Sequence, residues 1–177
     1  MYKKALTNLI AIGGFFFLIA IVRDWFESRY LLFWVGGLAG IFLPDVDHLV
    51  YVYFKRPHEL TSQRAKLLFE KRRLLRIAEL LYSTGQERKS LIFHTALFQL
   101  AFLAFAFFVI SSSGSLFGRG LVLGFLLHIL IEQLNELMRF ENIDRWLASI
   151  NLRLNKNQAA LYWFVNLLTV ILLGFLF

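Results

Sequence analysis

Residues 91–110 read LIFHTALFQLAFLAFAFFVI, twenty consecutive positions without an aspartate, glutamate, lysine or arginine. At about 1.5 Å per residue a helix of this length spans about 30 Å, the thickness of a bilayer's hydrocarbon core. Inside lipid a helix satisfies its own backbone N–H and C=O groups, so the run reads as a membrane helix. Four more apolar segments flank it, over 5–22, 30–54 (interrupted at 44–48), 120–138 and 159–177. The expected fold is all-α: a polytopic bundle of about five transmembrane helices, forming one integral membrane domain over residues 1–177.

Composition agrees with that reading. The chain is 58% hydrophobic and carries 20 phenylalanines, against about 45–50% apolar residues in a soluble domain. With no cysteine, disulfides and thiolate metal ligands are excluded. The first segment follows Lys3 and Lys4 as a signal peptide would. It lacks a small-residue cleavage site and runs into Arg23 and Asp24, so it reads as a retained helix or signal anchor.

Charge orients the helices. From Lys55 to Lys89 there are ten Lys/Arg and four Asp/Glu, a balance of +6 within a total of +7. Basic loops stay in the cytoplasm, whereas Ser111 to Gly118 is uncharged and is expected outside. Alternation then gives a cytoplasmic N-terminus, a cytoplasmic loop over 139–157 and an external C-terminus, in a prokaryotic cytoplasmic membrane. Within the basic loop Leu67, Leu68, Leu74, Leu75, Ala78, Leu81 and Tyr82 recur near helical spacing among Lys71, Arg72, Arg73 and Arg76. That pattern predicts an amphipathic helix on the inner membrane surface, bound to anionic lipid. Phe140, Ile143, Trp146, Leu147, Ile150 and Leu154 predict a second, shorter one. Packing of either helix on the rest of the protein is the alternative. No nucleic acid partner is expected, because the positive charge has a membrane to meet.

Ionisable side chains in apolar segments are costly and mark candidate sites. Asp45, Asp47 and His48 interrupt the second segment. Tyr30 to Leu43 covers only about 20 Å at helical rise, so the two carboxylates fall within the inner leaflet. Pro44 removes a backbone donor and predicts a broken helix there; a solvated helix-ending turn is the plainer alternative. His94 lies near the cytoplasmic start of the third segment, a position where an ordinary interfacial histidine also occurs. In the fourth segment His128 and Glu132 are four residues apart and share a face. Asn135, Glu136 and Arg139 extend that polar face inward, and Gly120 and Gly124 on the same stripe would admit a close helix. Hydrogen-bonded glue between helices is the competing reading. Carboxylates with imidazoles form a ligand set for zinc or manganese, at one or two positions. Such an ion neutralises buried carboxylates and supports hydrolysis.

The order of these motifs resembles the YdjM-like family of membrane-bound metal-dependent hydrolases. The resemblance covers roughly residues 36–136. It rests on Leu43-Pro44-Asp45-Val46-Asp47-His48, on His94 with Thr95, and on Gly124-x-x-x-His128-x-x-x-Glu132. The family pattern is Leu-Pro-Asp-x-Asp-His, then His-Arg-x-x-Thr-His-Ser, then Gly-x-x-x-His-x-x-x-Asp. The chain departs from it in the second motif: Lys89 and Ser90 stand for His-Arg, Phe93 for Thr and Thr95 for Ser. Glu132 replaces the final Asp.

Residues and resemblance together lead to one expectation. The chain is a membrane-embedded metal-dependent hydrolase acting at the cytoplasmic face on a phosphoester or lipid-related substrate. Asp45, Asp47, His48, His94, His128 and Glu132 are its candidate metal ligands, and Asp45, Asp47 and Glu136 its candidate catalytic carboxylates. The alternative is a non-enzymatic membrane scaffold whose basic loop binds anionic lipid or a protein partner. A bis-histidine haem protein using His94 and His128 leaves the Asp pair unexplained, and a small transporter is the remaining class with buried charge on a broken helix.

Overall fold

Ser115 opens the central helix. Its Oγ accepts the Gly118 N–H at 3.1 Å, and α7 (Leu116–Phe140) runs from there to Glu141, whose left-handed backbone ends it. The computed structural model describes residues 2–84 and 91–176, without the side chains of 2–7, 74, 78, 82 and 176. Lys89, Ser90 and Phe177, and the side chains of Leu74, Ala78 and Tyr82, therefore lie outside what is described. Among the described residues all regular structure is helical: α1 (Tyr2–Val22), α2 (Leu31–Phe42), α3 (Val46–Val50), α4 (Leu60–Glu70), α5 (Leu74–Ser83), α6 (Ala96–Ser112), α7, α8 (Asp144–Leu147) and α9 (Lys156–Leu176).

Three helical stretches are long and apolar enough to cross a membrane: Ser28–Lys55, Leu116–Phe140 and Lys156–Phe175. Asn8–Val22 and Ala96–Ser112 are apolar but shorter. Helices α1, α2, α6 and α9 all pack on α7. The core between them holds Phe16, Ile19, Phe33, Ile110, Leu126 and Val170. Outward faces stay apolar, as Leu100, Phe105 and Phe108 of α6 show. One end of the bundle gathers Arg23, Ile110, Arg119 and Gly174 around a single crevice, where Arg23 Nη2 donates to the Phe175 carbonyl at 3.2 Å. Successive long helices therefore run antiparallel.

The tightest crossing joins α2 to α7. A Cβ built on Gly120 would lie 2.0 Å from the Phe33 carbonyl oxygen, and one on Gly124 would lie 2.3 Å from that of Gly37. On the facing helix, Cβ atoms on Gly36 and Gly40 would meet the carbonyl oxygens of Phe117 and Leu121 at 2.1 Å. Backbone touches backbone here, so only glycine fits. A second clasp is polar. Gln99 of α6 and Gln133 of α7 are fully buried; Gln133 Nε2 and the Tyr162 hydroxyl of α9 both donate to Gln99 Oε1, at 2.7 and 2.8 Å.

Three local readings of the sequence are sharpened or changed. The α-helix is interrupted at Pro44 as expected, α2 ending at Phe42 and α3 starting at Val46, but the chain keeps its course through a tight turn. Leu43 and Asp45 keep right-handed helical backbone, and i→i+3 bonds tie Val46 to Leu43, Asp47 to Pro44 and His48 to Asp45. The turn tightens around the missing proline donor, and a π-helical turn over Tyr51–Lys55 follows. The basic loop is a helical hairpin, α4 and α5, that breaks at Arg72 with φ 53°. Finally, residues 140–154 do not present an apolar face outward from one helix. Ile143, Trp146 and Leu147 are buried against Ala96, Phe125 and Ile129, because the Trp146 indole finds its acceptor, Glu136, inside the protein.

The glycine crossing makes a prediction. Gly120→Ala and Gly124→Ala push a methyl into backbone and are expected to destabilise the bundle by about 1–3 kcal/mol each, the usual cost of overpacking. Gly13 and Gly14 have nothing within 4 Å of a built Cβ, so Gly14→Ala serves as the control. It should be neutral or stabilising by up to about 1 kcal/mol through helix propensity. Thermal unfolding in detergent, followed by helical circular dichroism, reads both; equal melting temperatures for all three variants would refute the close-contact account.

Candidate metal centre

The α2–α7 crossing determines which side chains meet beyond Gly40 and Gly124. One helical step past Gly40 and Gly124, the tight turn at 43–48 lies beside His128 and Glu132 of α7. The segment 91–95 leads into α6 at the same level and delivers His94. Thr95 caps α6, its hydroxyl accepting the Phe98 N–H at 3.3 Å, which gives the Thr/Ser position a backbone role. His94 itself sits before the helix, not within it.

Glu132 is the hub. Its Oε2 lies 2.8 Å from His94 Nε2 and its Oε1 lies 3.8 Å from His128 Nε2. His128 Nε2 is also 3.7 Å from Asp45 Oδ1. The His48 ring stacks on that of His94, with centroids 5.1 Å apart, and His128 stands edge-on to His94 at 6.5 Å. Two sets of ligand atoms result, one from His48, His94 and Glu132, the other from Asp45, His128 and Glu132. Within each set all atoms lie within 4.8 Å of one another. Five of the six predicted ligands are thus brought together, on α2–α3, the α6 lead-in and α7.

Asp47 belongs to neither set. It is 2% exposed, and its Oδ2 accepts the Phe93 N–H at 2.7 Å and lies 3.2 Å from His94 Nδ1. A carboxylate beside Nδ1 favours the tautomer with its proton there, which would leave Nε2 unprotonated on the side where Glu132 lies. Glu136 is also set apart. It is buried, pairs with Arg145 at 2.9 Å and accepts the Trp146 indole N–H at 3.0 Å. Trp146 in turn packs its ring 5.4 Å from that of His94. The sequence reading missed both Arg145 and Trp146, whose signal was an apolar pattern equally compatible with a lipid-facing strip.

His94 and Glu132 meet at ion-pair distance. Both atoms are buried and 2.8 Å apart, but they are not aligned as donor and acceptor, and His128 Nε2 likewise lacks an aligned partner. Leaving such groups unsatisfied costs about 1–3 kcal/mol each, more when charged. Two lone pairs converging off-axis fit neighbouring ligands of one cation. Ligands bound at about 2.0–2.2 Å to a tetrahedral ion stand about 3.4 Å apart, so the pair would open by about half an ångström to hold zinc. The donor set of imidazole nitrogen and carboxylate oxygen suits zinc or manganese. No family model, curated protein or solved structure matches the chain, and the reading of this centre rests on its own geometry.

Proposed function

We propose that the protein is a membrane-embedded metal-dependent hydrolase acting at the cytoplasmic face on a phosphoester or lipid-related substrate. The observation that carries this is the off-axis approach of His94 Nε2 and Glu132 Oε2, with His128 Nε2 orphaned beside them. In this reading His48, His94 and Glu132 would hold one divalent ion and Asp45, His128 and Glu132 a second. An ion so held supplies a water that ionises near neutrality and polarises a phosphoryl or carbonyl oxygen.

The chain's own residues divide the remaining work. Asp47 orients His94 through Nδ1 and keeps its Nε2 unprotonated. Asp45, with its side chain 54% exposed, is the carboxylate that solvent and substrate reach first, and it would hold the second ion from that open side. The Trp146 ring closes the buried side of His94, and Arg145 balances the charge of Glu136. Glu136 thereby acts as a positioning residue for α8 and Trp146.

The topology belongs to the same proposal. Helices α1 and α6 join the three longer stretches as spans, five in all, consistent with their antiparallel order. The N-terminus and the 55–89 loop face the cytoplasm, following the basic loop.

Two experiments test the proposal. Purified protein should retain stoichiometric zinc or manganese by elemental analysis. Glu132→Gln should lose it, and Asp47→Asn should weaken affinity about 10–100-fold, the usual effect of removing a histidine's carboxylate partner. Chelation should lower the melting temperature of wild type and leave Glu132→Gln unchanged, since an ion at 100 times its Kd stabilises by about 2.7 kcal/mol. Wild-type protein that binds neither ion, with stability indifferent to chelator, overturns the hydrolase and assigns the cluster to helix glue in a scaffold. For topology, the absence of cysteine offers a clean background. A thiol reagent that cannot cross membranes should label Ser113→Cys from outside and spare Ser83→Cys in intact cells. The opposite pattern would invert the orientation.

A further inference from the structure

The tip of the α4–α5 hairpin carries a choice of residue that the fold alone does not explain. Helix α4 ends in a complete Schellman turn: the Arg73 N–H donates to the Leu68 carbonyl and the Arg72 N–H to that of Phe69, both at 2.9 Å. The residue in the left-handed position of such a turn is usually glycine, since any Cβ is disfavoured there. Here it is Arg72, with φ 53°. Lys71, Arg73 and Arg76 flank it, and all four cations are exposed. Ion pairs such as those of Arg29, Arg56, Arg145 and Lys156 lie elsewhere in the described chain. Two large apolar side chains border the cations and are also exposed, Phe69 at 53% and Leu75 at 66%.

The hairpin is not free to wander from the helix it follows. The Tyr51 hydroxyl donates to Glu59 at 2.6 Å, Lys66 Nζ lies 5.4 Å over the Tyr53 ring, and the Tyr53 and Phe69 rings meet edge-on. Ser62 and Ala65 are buried. These contacts hold α4 on the last turns of Ser28–Lys55, a stretch able to cross a membrane. The tip is thus tethered near the plane where that stretch leaves the bilayer.

We infer that this tip, Phe69 to Arg76, is a docking element for an anionic lipid surface. The four cations meet the headgroup phosphates while Phe69 and Leu75 enter the acyl boundary. An acidic protein could also bury such apolar side chains; what favours lipid is the tether of α4 beside a stretch able to cross a membrane. The retained arginine at position 72 then has an explanation: charge at the apex is kept against the backbone's preference for glycine. This inference is independent of the metal centre, and neither stands or falls with the other.

Hydrogen exchange of the full-length protein in nanodiscs tests it. In discs containing about 30% phosphatidylglycerol, amides 69–77 should exchange at least about tenfold more slowly than in pure phosphatidylcholine, and about 0.5 M salt should remove the difference. Arg72→Gln keeps the strained position without its charge and should give back about fivefold of the protection, the effect of one cation near an anionic surface. Arg72→Lys should restore it. Equal exchange in neutral and anionic discs overturns the inference and leaves an acidic protein or the protein's own packing as the role of the tip. Arg72→Gln behaving as wild type in anionic discs overturns it equally.

Discussion

Backbone-to-backbone contact between α2 and α7 is the constraint on which the rest of this protein depends. In a bilayer no hydrophobic driving force holds two helices together, because lipid tails are as apolar as the side chains they replace. What remains is close packing and polar contact. Gly36 and Gly40 on one helix and Gly120 and Gly124 on the other supply the packing. Their carbonyls fill the space where side chains would stand, so the axes can approach in one register only. That register sets Asp45, His48, His128 and Glu132 side by side one or two turns further in. Moving α2 by one residue would rotate His48 and Asp45 off the α7 face and dissolve both ligand sets.

Polar groups near membrane depth are then used in two different ways. Gln99, Gln133 and Tyr162 complete one another's hydrogen bonds and tie α6, α7 and α9. Glu136 and Arg145 cancel their charges and place Trp146. The amide–phenol network is closed within itself. Around Glu132, buried imidazole and carboxylate atoms instead cluster at close range without the alignment of a hydrogen bond. Three imidazoles and a second carboxylate gathered on one glutamate are what mark this group as a candidate site. Asp47 stands on the border between the two: it is buried and satisfied, yet its partner is the imidazole that turns toward the open group.

Much of this was legible in the residue order, for reasons specific to membranes. Apolar length implies helix for the run 91–110, and residues 96–112 form one, whereas 91–95 precede it in non-helical backbone; no strand occurs among the described residues. The four-residue spacing of His128 and Glu132 places them on one face of any helix. The cost of buried charge singled out Asp45, His48 and His94 without knowledge of their neighbours. Gly120 and Gly124 pointed to a close partner, although Gly36-x-x-x-Gly40, the matching half, was hidden within an unbroken apolar run. These inferences hold because periodicity, length and burial cost are properties of a single segment.

What lay beyond the residue order involves two segments at once. Whether Asp47 or Asp45 turns toward His128 and Glu132 depends on the exact geometry of the turn at Pro44, which i→i+3 bonds hold tight. The inward packing of Ile143, Trp146 and Leu147 depends on Glu136 standing within reach, since an apolar stripe alone does not distinguish a lipid surface from a protein core. The break at Arg72 is invisible to a pattern that expects glycine at such turns. Periodicity states which residues share a face; only the packed tertiary structure states what that face meets, because the choice between lipid and protein is made by the partner's shape and charge.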